Sequence, residues 1–180
     1  MKKIVITIVG LAILIGTVSV GWWLVARGTK PADQNANFSG NPATPSTTQS
    51  APDFSLRTLN GVDTRLSSYR GTKPVILNFW ASWSPDCRRS MPLLQQLHDK
   101  YKDQLGILAI NQQEGEGKVG DFVAEYGLTF PVALDPVAQV QRQYGNPYPN
   151  TYVLIDKSGN IIKLIHADIS EADILELIAS

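Results

Sequence analysis

Cysteine is all but missing from this chain: among 180 residues there is one, Cys87. A lone thiol excludes an internal disulfide. With only two histidines, His98 and His166, it also excludes a Cys/His zinc cage, which takes four such ligands. A lipid-bearing cysteine near the N-terminus is excluded on the same ground. Charge bias is missing too. Lys and Arg total 16 and Asp and Glu total 16, so the electrostatic case for a nucleic-acid partner falls away. No internal repeat stands out, and no G-x-S-x-G elbow surrounds any serine.

What is present is unevenly spread. Ile4 to Ala26 holds no charged residue, and about 20 apolar residues suffice to span a bilayer. Lys2 and Lys3 precede this run, Trp22 and Trp23 stand near its far end, and Arg27 follows. A basic flank, an apolar span and an interfacial aromatic pair predict a single transmembrane helix within residues 1–27. A cleaved signal peptide would have a shorter apolar core and a small-residue cleavage site, and neither is evident. Residues 28–50 are rich in Pro, Ser, Thr, Asn, Gln and Gly and read as a flexible tether. The folded domain is expected over 51–180. The expected placement is the cell membrane, single-pass, with the C-terminal domain outside the cytoplasm.

Within that domain, Phe54–Leu59 and Val62–Leu66 flank Asn60-Gly61, a strong hairpin signal. Lys73–Trp80 and Leu105–Ile110 are apolar runs typical of strands buried on both faces. Pro85 to about Lys102 and Val119–Tyr126 have helical spacing. Pro131–Leu134 reads as a strand, Val137–Tyr144 as a short helix, and Thr151–Ile155 and Asn160–His166 as strands. Ser170-Glu171-Ala172-Asp173 resembles a capping box opening a last helix. Strands alternating with helices imply an α/β sandwich with a mixed sheet.

The chemistry gathers in W-S-P-D-C, Trp83 to Cys87. Ser84 suits the N-cap, Pro85 the first helical position, and Asp86 the first turn, where the helix dipole favours an anion. As a helix start, S-P-D needs no chemistry. A hydrolytic role for Ser84 is disfavoured, because His98 lies about four helical turns along. Cys87, Met91, Leu94 and Tyr101 share one helix face, which points Cys87 inward. Helix amides, Arg88 and Arg89 favour a thiolate there, while burial and Asp86 oppose one. Glu114 and Glu116 in Q-Q-E-G-E-G read as solvated loop charges.

The motifs A-P-D-F-S-L, L-S-S-Y-R-G and K-P-V-I-L-N-F-W-A-S-W, then Asp86-Cys87 and Met91-Pro92, resemble the membrane-anchored thioredoxin-like proteins of the TlpA/ResA type. The likeness continues through F-V-A-E-Y-G-L-T-F-P-V-A-L-D and P-N-T-Y-V-L-I-D-K-S-G-N-I. It implies a thioredoxin fold, a central mixed β-sheet flanked by helices, with an N-terminal β-hairpin. It implies thiol-disulfide oxidoreductase chemistry of the kind used in cytochrome c maturation, with extracytoplasmic thiol or disulfide proteins as partners and no cofactor or metal. By the same resemblance Ser84 stands where the attacking cysteine belongs, Cys87 where the resolving one does, and Ser90 where many relatives carry a glutamate. Trp83, Pro85, Tyr148, Pro149 and Asn150 would line the substrate-binding face, with Pro149 as a cis-proline.

Attack on a disulfide needs a thiolate, and release of the mixed disulfide needs a second thiol. One cysteine cannot supply both. Three functions therefore stand: an oxidoreductase working through Cys87 alone, a non-catalytic binding module for cysteine proteins, and a one-cysteine peroxidase. The last rests on the spacing of Ser84 and Cys87, which peroxiredoxins share, and on sulfenic acid chemistry at one thiol.

Overall fold

The computed structural model describes residues 49–180. The expected span over 4–26 and nearly all of the tether lie outside the described residues. Among the described residues, no helix is long and apolar enough to cross a membrane.

The order of elements is β1 (Gln49–Ser50), β2 (Ser55–Arg57), β3 (Asp63–Arg65), a 3-10 turn over Leu66–Tyr69, β4 (Val75–Trp80), α1 (Pro85–Tyr101), β5 (Gly106–Gln112), α2 (Glu116–Tyr126), β6 (Val132–Asp135), α3 (Gln139–Gln143), β7 (Thr151–Ile155), β8 (Asn160–Ile165) and α4 (Glu171–Ile178). Six strands form one sheet in the order β1-β8-β7-β4-β5-β6, and β2 and β3 pair separately. β4, β5 and β6 run parallel, which requires the crossovers that α1 and α2 provide. β7 runs antiparallel to β4, and β8 antiparallel to β7, so the sheet is mixed. Gln49 and Ser50 pair with Ile161 and Asn160. The last two residues of the segment read as tether thus belong to the sheet, because the edge of β8 offers them backbone partners.

β4 is central, and its alternation sets two cores. Ile76 and Trp80 face a cluster with Cys87, Met91, Leu94, Phe122, Ile174 and Leu177. Val75, Leu77 and Phe79 face the opposite cluster with Phe54, Leu66, Leu108 and Val140. Strands at the centre of a sheet covered on both sides have no polar face, which is why the β4 and β5 runs are apolar almost throughout. Asn78 interrupts this pattern, with both amide atoms buried and without a hydrogen-bond partner. Gly127 ends α2 in the left-handed conformation, φ 60°, a role that suits a residue without Cβ. At α4, Ser170 and Asp173 form the full reciprocal capping box. The hairpin ladder is short, from Ser55↔Arg65 to Arg57↔Asp63. Beyond it Thr58 bridges to Ala133, and Leu59 N–H donates to Val132 at 2.8 Å, so the hairpin covers the β6 edge.

Candidate functional site

β4 delivers its C-terminal end, Trp80, straight into the loop Ala81–Ser84 and the start of α1. Ser84 is the N-cap: its backbone is extended, at φ −75° and ψ 121°, and its Oγ accepts from the Cys87 N–H at 3.3 Å. Pro85 follows at the first helical position, where the missing N–H costs nothing. Trp83 is 62% exposed, whereas Ser84 is only 5% exposed and Cys87 is completely buried. The position aligned with a nucleophile and the thiol one turn on are therefore both closed to solvent in this conformation.

The acidity of Cys87 follows from its surroundings. Burial raises its pKa above the ordinary thiol value, and the Asp86 charge pushes the same way. The Ser84 hydroxyl and the backbone N–H groups of Ala81 and Asn150 act against this without reversing it. The two arginines do not help. Arg89 pairs with Asp86 at 2.8 Å and Asp168 at 3.2 Å, and Arg88 lies 5.6 Å from the centre of the Phe122 ring. The expectation that they favour a thiolate is corrected, because each is engaged by a partner of its own.

Tyr148, Pro149 and Asn150 approach this helix start from the β7 side. Asn150 N–H donates to Phe79 O at 2.8 Å, fastening the loop to the end of β4. The Asn150 side chain is a hub. Its Oδ1 accepts from Ser90 Oγ at 2.7 Å and from the Tyr152 hydroxyl at 3.0 Å, and its Nδ2 donates to Asp168 at 3.3 Å. The cis geometry expected at Pro149 is not found; every peptide bond among the described residues is trans. Asn150 itself turns the chain, at φ 72°, a left-handed conformation that asparagine tolerates better than most residues.

Trp83, Tyr148 and Pro149 border one groove of about 520 Å³, together with Gln112, Gln113 and Gln141. Tyr148 is 82% exposed. Of the residues singled out from sequence, Trp83, Tyr148 and Pro149 share this groove. Ser84, Cys87 and Asn150 form the buried seam beside it. Pro85 is an exposed part of the helix start.

Glu114 corrects the sequence reading outright. It is buried, not solvated, and its carboxylate accepts from Ser82 N–H at 2.6 Å, Ser82 Oγ at 2.7 Å and Asn111 Nδ2 at 2.9 Å. Lys118 Nζ lies 2.7 Å away. Burial works against the charge, but the bonds from Lys118, Asn111 and Ser82 prevail and hold the pKa down to about 2. This carboxylate ties the Ala81–Ser84 loop to the turn after β5. The one local hint was the spacing of Glu114 and Lys118, four apart at a helix start. His98 lies edge-on to Phe130, and exposed His166 meets Thr151 at 3.2 Å, so neither histidine joins the seam.

Comparison with known proteins agrees with this geometry. The sequence model of the AhpC/TSA family matches residues 47–164. "Thiol-disulfide oxidoreductase ResA" of Geobacillus thermodenitrificans is 40% identical over 147 residues, covering 81% of this chain and 83% of that protein. "Thioredoxin-like protein YneN" of Bacillus subtilis is 40% identical over 122 residues, 66% of this chain and 69% of that protein. Among solved structures, a putative thiol:disulfide interchange protein DsbE from Chlorobium tepidum superposes with a TM-score of 0.64 at 36% identity, covering 73% of this chain and 94% of that one. A putative protein disulfide isomerase from Bacteroides thetaiotaomicron gives 0.67 at 33% identity, covering 74% and 90%.

Proposed function

Because the chain belongs to the AhpC/TSA family, as a thioredoxin-like member with ResA-type thiol-disulfide oxidoreductase relatives, we propose that it is a partner-holding member of that family. In this reading it keeps the docking face and does not run dithiol turnover. One observation carries it: the single thiol, Cys87, is completely buried behind Ser84, which caps its helix instead of supplying a second sulfur. Without a thiolate at position 84 there is no nucleophile to open a disulfide, and without a second cysteine none to release the product.

The partners in this reading are proteins bearing thiols or disulfides, the substrate class the relatives' names imply, met outside the cytoplasm if the anchor proposed next holds the domain there. Residues 4–26 are proposed from sequence as a single membrane anchor that places the domain outside the cytoplasm. Reporter fusions before and after this segment test that placement; a reporter active only on the cytoplasmic side after residue 27 rejects it.

The one-cysteine peroxidase is the weaker reading. Peroxide attack needs a reachable thiolate, and burial raises the Cys87 pKa, with the Asp86 charge acting in the same direction. The deciding experiment incubates the full chain with a disulfide substrate and a dithiol reductant, and separately with peroxide. No substrate reduction above the uncatalysed rate, and no sulfenate at Cys87, are the expected results. Sustained reduction of the substrate rejects partner holding without turnover, and rapid sulfenate formation favours the peroxidase.

A further inference from the structure

The groove beside Trp83 has an unusual chemistry for a surface feature. Among its lining residues there is no Asp, Glu, Lys or Arg. One wall is aromatic, from Trp83 and Tyr148, both largely exposed. The other is built of side-chain amides. Gln112, itself buried, donates Nε2 to Pro147 O at 2.9 Å. Gln141 donates to the same carbonyl at 3.3 Å, and Gln113 donates to Gln141 Oε1 at 2.8 Å.

This amide wall is held in place from behind. The buried Asp135 carboxylate accepts from the backbone N–H groups of Gln139 and Gln141, at 2.7 and 2.9 Å, so its charge is satisfied there. Gln113 and Asn146 both adopt left-handed backbone conformations, φ 58° and 57°. Such conformations persist only where the surroundings impose them, and they gather at binding sites. Here Gln113 N–H bonds Asp135 O at 3.1 Å and Asn146 N–H bonds Gln141 O at 2.8 Å. At the helix start, Arg89 pairs with both Asp86 and Asp168.

We propose that this groove selects partner segments that are uncharged around their cysteine, with apolar or aromatic side chains over Trp83 and Tyr148 and backbone amides against Gln113 and Gln141. The inference rests on the partner-holding reading and names its substrate class. A charged side chain entering the groove loses hydration and meets no counter-charge. A neutral segment exchanges water for amide hydrogen bonds and covers the two exposed rings.

The test uses the full chain carrying Ser84→Cys and Cys87→Ser, so that exchange stops at one mixed disulfide. The probes are three peptides of equal length, each with one cysteine held as a disulfide to thionitrobenzoate. Their flanking residues are neutral, aspartate-bearing or lysine-bearing. The introduced thiolate attacks the peptide sulfur, the old S–S bond breaks, and thionitrobenzoate leaves with the bonding electron pair and is read by its absorbance. Rates are normalised to those with a small free thiol, which removes intrinsic reactivity.

The neutral peptide should react at least about fivefold faster than either charged one. Trp83→Ala should erase this advantage, and Gln113→Glu should shift the preference toward the lysine-bearing peptide. Equal normalised rates, or a preference for a charged peptide in the parent variant, would overturn the inference. So would an unchanged ranking in Gln113→Glu, with circular dichroism confirming that the variant is folded. Turnover of a reducible substrate by the unaltered chain would instead remove the partner-holding reading, whatever the ranking of peptides.

Discussion

Ser90 and Asn150, sixty residues apart, are joined by a hydrogen bond of 2.7 Å from the serine hydroxyl to the asparagine carbonyl oxygen. By the resemblance, Ser90 stands where many TlpA/ResA-type relatives carry a glutamate. The two side chains complement each other. A neutral donor on α1 meets a neutral acceptor on the β7 loop, and Tyr152 donates to the same oxygen. This seam lies beside buried Cys87, whose raised pKa the Asn150 backbone moderates.

Replacing Asn150 tests that seam. Asn150→Ala leaves the buried Ser90 and Tyr152 hydroxyls without their shared acceptor and puts at φ 72° a residue that tolerates the left-handed backbone less well than asparagine. A destabilisation of roughly 1–3 kcal/mol is expected by urea denaturation. Alkylation of Cys87 should accelerate as well, because the seam beside it is loosened. Asn150→Gly, which tolerates the left-handed backbone, should recover part of the stability and none of the protection.

Restoring the missing sulfur should restore the redox pair. Ser84→Cys places a thiol at the N-cap, one turn from Cys87, where Ser84 Oγ already lies 3.3 Å from the Cys87 amide nitrogen. Mild oxidation is expected to consume both free thiols in thiol titration and to lower the mass by about two hydrogens. Two titratable thiols persisting after oxidation would contradict the helix-start geometry.

Ser84→Ala removes the cap without adding chemistry. A loss of about 1 kcal/mol, read as a lower denaturation midpoint, follows from the freed helix amide. The Ser84 hydroxyl also moderates the raised Cys87 pKa, so the variant thiol should react more slowly still at neutral pH if folded opening is unchanged. In the wild-type chain the alkylation rate should keep rising beyond the pH at which an exposed thiol levels off.

Glu114 should give an acid-dependent stability. Its folded pKa of about 2 is below the ordinary 4.5, so its contribution is fully present above pH ~4.5 and is lost as pH falls toward about 2. Glu114→Gln should destabilise the chain at pH 7 by on the order of 1–3 kcal/mol, since charge-assisted bonds to Ser82 and Asn111 are weakened. The gap between wild type and variant in the urea midpoint should narrow on acidification through that window. Lys118→Met, removing a half-exposed partner, should cost less than about 1 kcal/mol.

The sequence by itself determined whatever depends on near neighbours along the chain. S-P-D sets the start of α1, the apolar runs set β4 and β5, Ser170 and Asp173 cap α4, and Gly127 ends α2, because each is an interaction within about one turn or one pleat. The same local reading marked Trp83, Ser84 and Cys87 and turned the thiol inward. The tertiary structure alone decided what those residues experience. Glu114 changed from a loop charge to a buried carboxylate because Ser82, thirty-two residues earlier, brings its donors to it. Arg88 and Arg89 left the thiol for Phe122 and Asp168, and Pro149 settled trans beside a left-handed Asn150. The uncharged groove is assembled from the end of β5, from α3 and from the loops after β4, β5 and α3, which no spacing along the chain reveals. Exposure, ionisation and groove shape depend on which distant segments exclude water from a side chain, and that is settled only when the sheet brings them together.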